Sequence, residues 1–65
     1  MAKTEIGDKL KKLRGKKTIQ NVSKDIGISY SALAMYENGY RIPRDEIKIK
    51  LAHYYNTTVQ DIFYN

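Results

Sequence analysis

The residues best suited to chemistry in this chain lie close together: Tyr30, Ser31, Ala34 and Met35, with Asn38 just after them. At about 100° per residue along a helix, Ser31, Met35 and Asn38 point to one side, Ala34 lies beside them and Tyr30 flanks the start. Such a face offers one hydroxyl at Ser31, a ring and a hydroxyl at Tyr30, and apolar contact at Ala34 and Met35. That is the chemistry of recognition, not of bond making. Met35 has a second reading, as a loose surface or dimer-contact residue. Catalysis finds little support. His53 stands alone, and no carboxylate pair, Gly-rich phosphate loop or Cys/His cluster appears. A non-enzyme is expected, with no cofactor, no metal and no small-molecule ligand.

The surroundings of that face are basic. The 65 residues carry 12 Lys and Arg against 7 Asp and Glu, a formal net charge of +5. Lys9, Lys11, Lys12, Arg14, Lys16 and Lys17 crowd one stretch, and Arg41 and Arg44 follow the candidate helix. The excess favours a polyanionic partner, while any one of these cations reads equally well as a solvated surface charge. There is no cysteine, so neither disulfides nor thiolate metal sites support the fold. No apolar run approaches a membrane span, and the opening residues lack the apolar stretch of a signal peptide. A cytoplasmic protein is expected, with no membrane partner. The length suits a single domain over residues 1–65, with a thin core made of helix packing.

The elements that must position the face are helices. Ile6, Leu10 and Leu13 form one apolar stripe of a first helix, capped at Thr4 and ending at Arg14 before Gly15. Thr18 caps a second helix that runs to Ile26, and Ser29 caps a third that reaches Asn38, with Gly39 as its stop. Pro43 suits the first position of a fourth helix, with Asp45 and Glu46 in its first turn. Ile47, Leu51, Ala52 and Tyr54 or Tyr55 make its apolar side, and Asn56 supplies a left-handed stop. Thr58 with Asp61 resembles a capping box that opens a short last helix with Val59, Ile62 and Phe63 inward. The expectation is an all-α, compact five-helix domain.

Within it, the stretch Ile19–Tyr36 (IQNVSKDIGISYSALAMY) has the spacing of a helix-turn-helix. Val22 and Ile26 share one face of the second helix, Leu33 and Tyr36 one face of the third. Ser23 is small where the helices meet, and Gly27 suits a turn that needs positive φ. An ordinary αα-hairpin is the alternative. If the pair reads duplex DNA, the outward face of the third helix enters the major groove. Tyr30, Ser31, Ala34 and Met35 would then meet base edges, mostly through apolar contact and DNA shape, because no Arg, Gln or Asn stands where bidentate base contacts form. Glu37 lies only about 40° from Leu33 on the wheel, partly inward. A carboxylate there needs a cation, and Arg14 is the best candidate for a two-bond pair. A solvated Glu37 is the other reading.

The segments LKKLR, DIGIS, YENGYRIP and IKIKLAHYYNTTVQDIF resemble the lambda-repressor-like, Cro/cI-type (Xre family) DNA-binding domains, from about Leu10 to Phe63. The Glu37-Asn38-Gly39 triplet closing the third helix is especially characteristic. The resemblance implies a five-helix lambda-repressor-like fold and a regulator of transcription from a bacterium, prophage or mobile element. It implies a homodimer on a palindromic operator. It also implies base reading at Tyr30, Ser31, Ala34 and Met35, a phosphate at Asn38, and an Arg14–Glu37 ion pair. The chain departs from the family at Ile19, where a Gln that reaches phosphate is common, and in a short link between the first two helices. Gln20, Lys16, Lys17 and Thr18 are the candidate replacements at that end, with Arg41 and Arg44 gripping the backbone at the other. Val59, Phe63 and Tyr64 are the expected dimer surface. A rival function is a protein-interaction module of the same fold, of antitoxin or antirepressor type, acting through a partner protein.

Overall fold

The structure, a computed structural model, describes residues 2–64. It contains four α-helices, α1 (Lys3–Arg14), α2 (Ile19–Ile26), α3 (Tyr30–Glu37) and α4 (Asp45–Tyr54), and a terminal π-helix, Gln60–Tyr64. No strand occurs among the described residues. This is the all-α, five-helix arrangement expected from the apolar spacing.

Each helix begins and ends for a local reason. The Thr18 hydroxyl accepts a hydrogen bond from the Asn21 N–H at 3.0 Å, and the Ser29 hydroxyl one from the Ala32 N–H at 3.0 Å. Both satisfy donors that the first helical turn leaves unpaired. Gly27 takes up a left-handed conformation, φ 87°, and turns the chain from α2 into α3. At the end of α3, the Gly39 N–H donates to the Tyr36 carbonyl and the Tyr40 N–H to the Met35 carbonyl at 2.9 Å. This is a Schellman motif. Asn56, φ 57°, closes α4 in the same way, with the Thr57 N–H donating to the Ala52 carbonyl at 2.9 Å. The Asp61 N–H donates to the Thr58 hydroxyl at 3.0 Å, ahead of the terminal π-helix.

Four details differ from the sequence reading. Thr4 lies inside α1, whose N-cap is Ala2 with no side-chain cap. Leu13 is 39% exposed, so the α1 stripe is buried only at Ile6 and Leu10. Pro43 precedes the N-cap Arg44 instead of opening α4, and is itself buried. Phe63 is 3% exposed. It is a core residue and cannot serve a dimer surface, whereas Tyr64 beside it is exposed.

The core joins Ile6 and Leu10 of α1, Val22 and Ile26 of α2, Leu33 and Tyr36 of α3, Ile47, Leu51 and Ala52 of α4, and Ile62 and Phe63. α3 is central, packed against both α1 and α2. Gly7 is what permits the approach of α1. A Cβ there would run into the Glu37 carbonyl of α3. Glycine inside a helix costs about 1 kcal/mol relative to alanine, and here the missing side chain is the contact.

Candidate nucleic-acid interface

Burying Leu33 and Tyr36 fixes the rotation of α3 and turns the opposite face outward. Tyr30, Ser31, Ala34, Met35 and Asn38 line one shallow hollow, together with Tyr40 from the loop beyond. Tyr30 is 57% and Met35 40% exposed. The hollow carries no charged side chain. Glu37 is the only charged residue of α3, and it is turned inward at 2% exposure.

Arg14 meets that carboxylate. Its Nε donates to Glu37 Oε2 at 2.8 Å and its Nη2 to Oε1 at 3.0 Å, a two-bond fork. Its Nη1 donates to the Lys17 carbonyl at 2.6 Å. One guanidinium thus ties the end of α1 to the end of α3 and to the α1–α2 link. The hydrogen bond to Glu37 raises the Arg14 pKa above its ordinary value, against the opposing effect of burial. Tyr55 lies within electrostatic range of both partners. Desolvation first, and the Glu37 charge second, push its phenol up to about 12. Its hydroxyl is buried without a hydrogen-bond partner among the described residues.

On the other side of α3, Arg41 and Arg44 line a second hollow that reaches Ser29 at the helix start and Tyr36. Both arginines are exposed. Arg44 Nε lies 3.6 Å from Glu46 Oε1, an open pair at the surface that water and salt weaken. A group of negative charge entering this hollow would face two guanidinium groups and the N-terminal end of α3.

The residues at the start of α2 are not gathered in the same way. Lys16, Lys17, Thr18 and Gln20 are exposed, but two of them are engaged elsewhere. The Thr18 hydroxyl is the α2 cap. The Lys17 ammonium sits 4.8 Å above the Tyr54 ring and donates to its hydroxyl at 3.3 Å. That hydroxyl in turn donates to Asp25 Oδ2 at 2.8 Å. Lys17 is therefore drawn across α2 toward α4. Ile19, at the position where a glutamine is common, packs half-buried against the core.

Three residues of this region escaped the sequence reading. Gly7 had a signal, since a glycine in the interior of an amphipathic helix often marks a close approach. Tyr40 had none, because its place beside Met35 comes from the Schellman turn. The Tyr54 network joins residues far apart in the chain. Among the described residues, no group of three or more His, Cys, Asp and Glu could hold a metal ion, and His53 is exposed. Among the same described residues, no helix is long and apolar enough to cross a membrane.

Two short helices joined by a glycine turn, the second capped, rotated outward and flanked by arginines, define a helix-turn-helix domain. The helix-turn-helix family model matches residues 10–62, most of the chain, and the chain belongs to that family, of the Xre kind. It is in general terms a DNA-binding, transcription-regulating domain. No curated protein and no solved structure matches the chain.

Proposed function

We propose that this protein is a sequence-specific transcriptional regulator, a small repressor of the Cro/cI type from a prophage, mobile element or bacterium. It binds a palindromic operator as a homodimer, through one domain spanning residues 1–65. The observation that carries the reading is the pairing of two hollows on α3. An uncharged one is lined by Tyr30, Ser31, Ala34 and Met35, and an arginine-lined one lies behind it. In this account α3 enters the major groove and those four residues meet base edges. Asn38, Arg41 and Arg44 hold phosphates on one side, and Lys16 and Gln20 hold them near α2. Lys17 and Thr18 join these only if they exchange their present partners. Each Lys or Arg on a phosphate steepens the loss of affinity with salt. With Phe63 in the core, Val59 and Tyr64 remain for contact with a second copy at that end.

The face itself favours one other reading. Its content is mostly apolar, and no Arg, Gln or Asn stands at the positions best placed for bidentate base contacts, which suits a protein partner of the antitoxin or antirepressor kind. Selection of bound duplexes from a random library at near-physiological salt separates the two. An enriched palindrome, with half-sites about one helical turn apart, supports the dimeric repressor. Weak, salt-sensitive binding without enrichment supports the protein-interaction module.

A further inference from the structure

We propose that Tyr40 is a specificity-determining residue, and that the hollow between Tyr30 and Tyr40 receives the 5-methyl group of a thymine. The inference rests on the reading of α3 as the groove-entering helix. Tyr40 lies outside α3, yet it is held to it. Its N–H donates to the Met35 carbonyl at 2.9 Å, and Gly39 before it adopts φ 78°. The turn brings the Tyr40 side chain back along the outward face, where it shares one hollow with Tyr30, Ala34 and Met35. At 73% exposure its side chain makes little use of the core. The ring is thus displayed by a fixed backbone and, among the described residues, pairs with no other side chain by hydrogen bond or ring contact.

The occupant follows from the chemistry of the hollow. Tyr30, Tyr40, Ala34 and Met35 make its lining mostly apolar, with Ser31 and Asn38 as its polar members. No charged residue faces them, because Glu37 is buried against Arg14. Arg41, the next residue along, is exposed and lines the separate hollow on the other side of α3, where it is suited to a phosphate. A recess of this kind in a surface attractive to polyanions selects the apolar group on the floor of a major groove. Among the four bases, only thymine presents one, its 5-methyl group.

The test uses the site selected by the wild-type protein from random duplexes, with each thymine replaced in turn by deoxyuridine, which removes the methyl alone. Affinities are read by fluorescence anisotropy. At one or more positions in each half-site the wild type loses about fourfold in affinity per methyl removed. Tyr40→Ala abolishes that penalty, and Tyr40→Phe keeps it, since the ring makes the contact. Because Tyr40 is exposed, circular dichroism of both variants matches the wild type. The inference is overturned if no thymine shows a penalty, if Tyr40→Ala retains it, or if Tyr40→Phe loses it. In each of these cases the selected site survives, and with it the reading of α3. A wild type that selects no site overturns that reading and the inference together.

Discussion

Replacing Arg14 by alanine tests what holds α3 in its reading position. Glu37 has a side chain 1% exposed, and both of its carboxylate oxygens accept from Arg14, itself 21% exposed. Water cannot replace the lost donors at Glu37, whereas it can replace the one given to the Lys17 carbonyl. Leaving a buried charge without its partner costs about 3–5 kcal/mol, and the partial exposure of Arg14 places this case near the lower end. A domain of this length has in total only about 3–10 kcal/mol of stability. Arg14→Ala should therefore lose a third or more of it, read as a fall in the urea midpoint at unchanged slope in far-UV circular dichroism. Arg14→Lys keeps the charge but not the fork, and should lose about 1–2 kcal/mol. Replacing both partners by methionine should recover most of the loss, because no charge is then stranded. A loss below about 1 kcal/mol for Arg14→Ala would refute the reasoning, since the pair would then behave as an exposed salt bridge.

Four further outcomes are expected. Gly7→Ala should lower the midpoint of thermal unfolding despite a gain in helix propensity of about 1 kcal/mol, because its Cβ meets the α3 backbone at Glu37; a rise would remove the close approach. Tyr55→Phe should be neutral or slightly stabilising, since the deleted hydroxyl is buried without a partner among the described residues. The same group sets an alkaline dependence. Its folded pKa of about 12 stands above the ordinary 10, so its contribution to stability is full below about pH 10 and is lost as pH rises toward 12. Denaturant unfolding across that range should be steeper in pH for the wild type than for Tyr55→Phe, and identical slopes would contradict it. Arg41→Ala should weaken binding to selected and random duplexes alike and reduce the log–log salt slope by about 1; an unchanged slope would take Arg41 off the backbone.

Much of this domain could be read from local chemistry. Thr18, Ser29, Gly27, Gly39 and Asn56 each act on their own neighbours within a turn, so residue type alone located the helix ends they govern. Leu33 and Tyr36 fixed the rotation of α3 because helical periodicity is rigid. The misreadings share another cause. Thr4 looked like a cap, but the helix already begins at Lys3, after Ala2 in extended conformation with no side-chain cap. Leu13 matched the stripe, yet it borders an open hollow shared with Thr57, Asp61 and Ile62 and stays 39% exposed. The sequence offers Phe63 two roles that exclude each other, inward by helical spacing and on a dimer surface by its place among the last aromatics, and its burial keeps the first. Lys17 is a different case, a proposed phosphate contact whose present partner the sequence did not reveal. Its capture by Tyr54 depends on α4 crossing α2, which no local pattern encodes.

The central claim is that the outward face of α3 reads sequence. Its most direct test is parallel selection from random duplexes by the wild type, Ser31→Ala and Met35→Ala, the last two being exposed-site variants that leave the core intact. The account predicts that the wild type enriches a palindrome and that the two variants shift the base preference within each half-site, by about 1–3 kcal/mol at the affected position. Three identical preference profiles would contradict it.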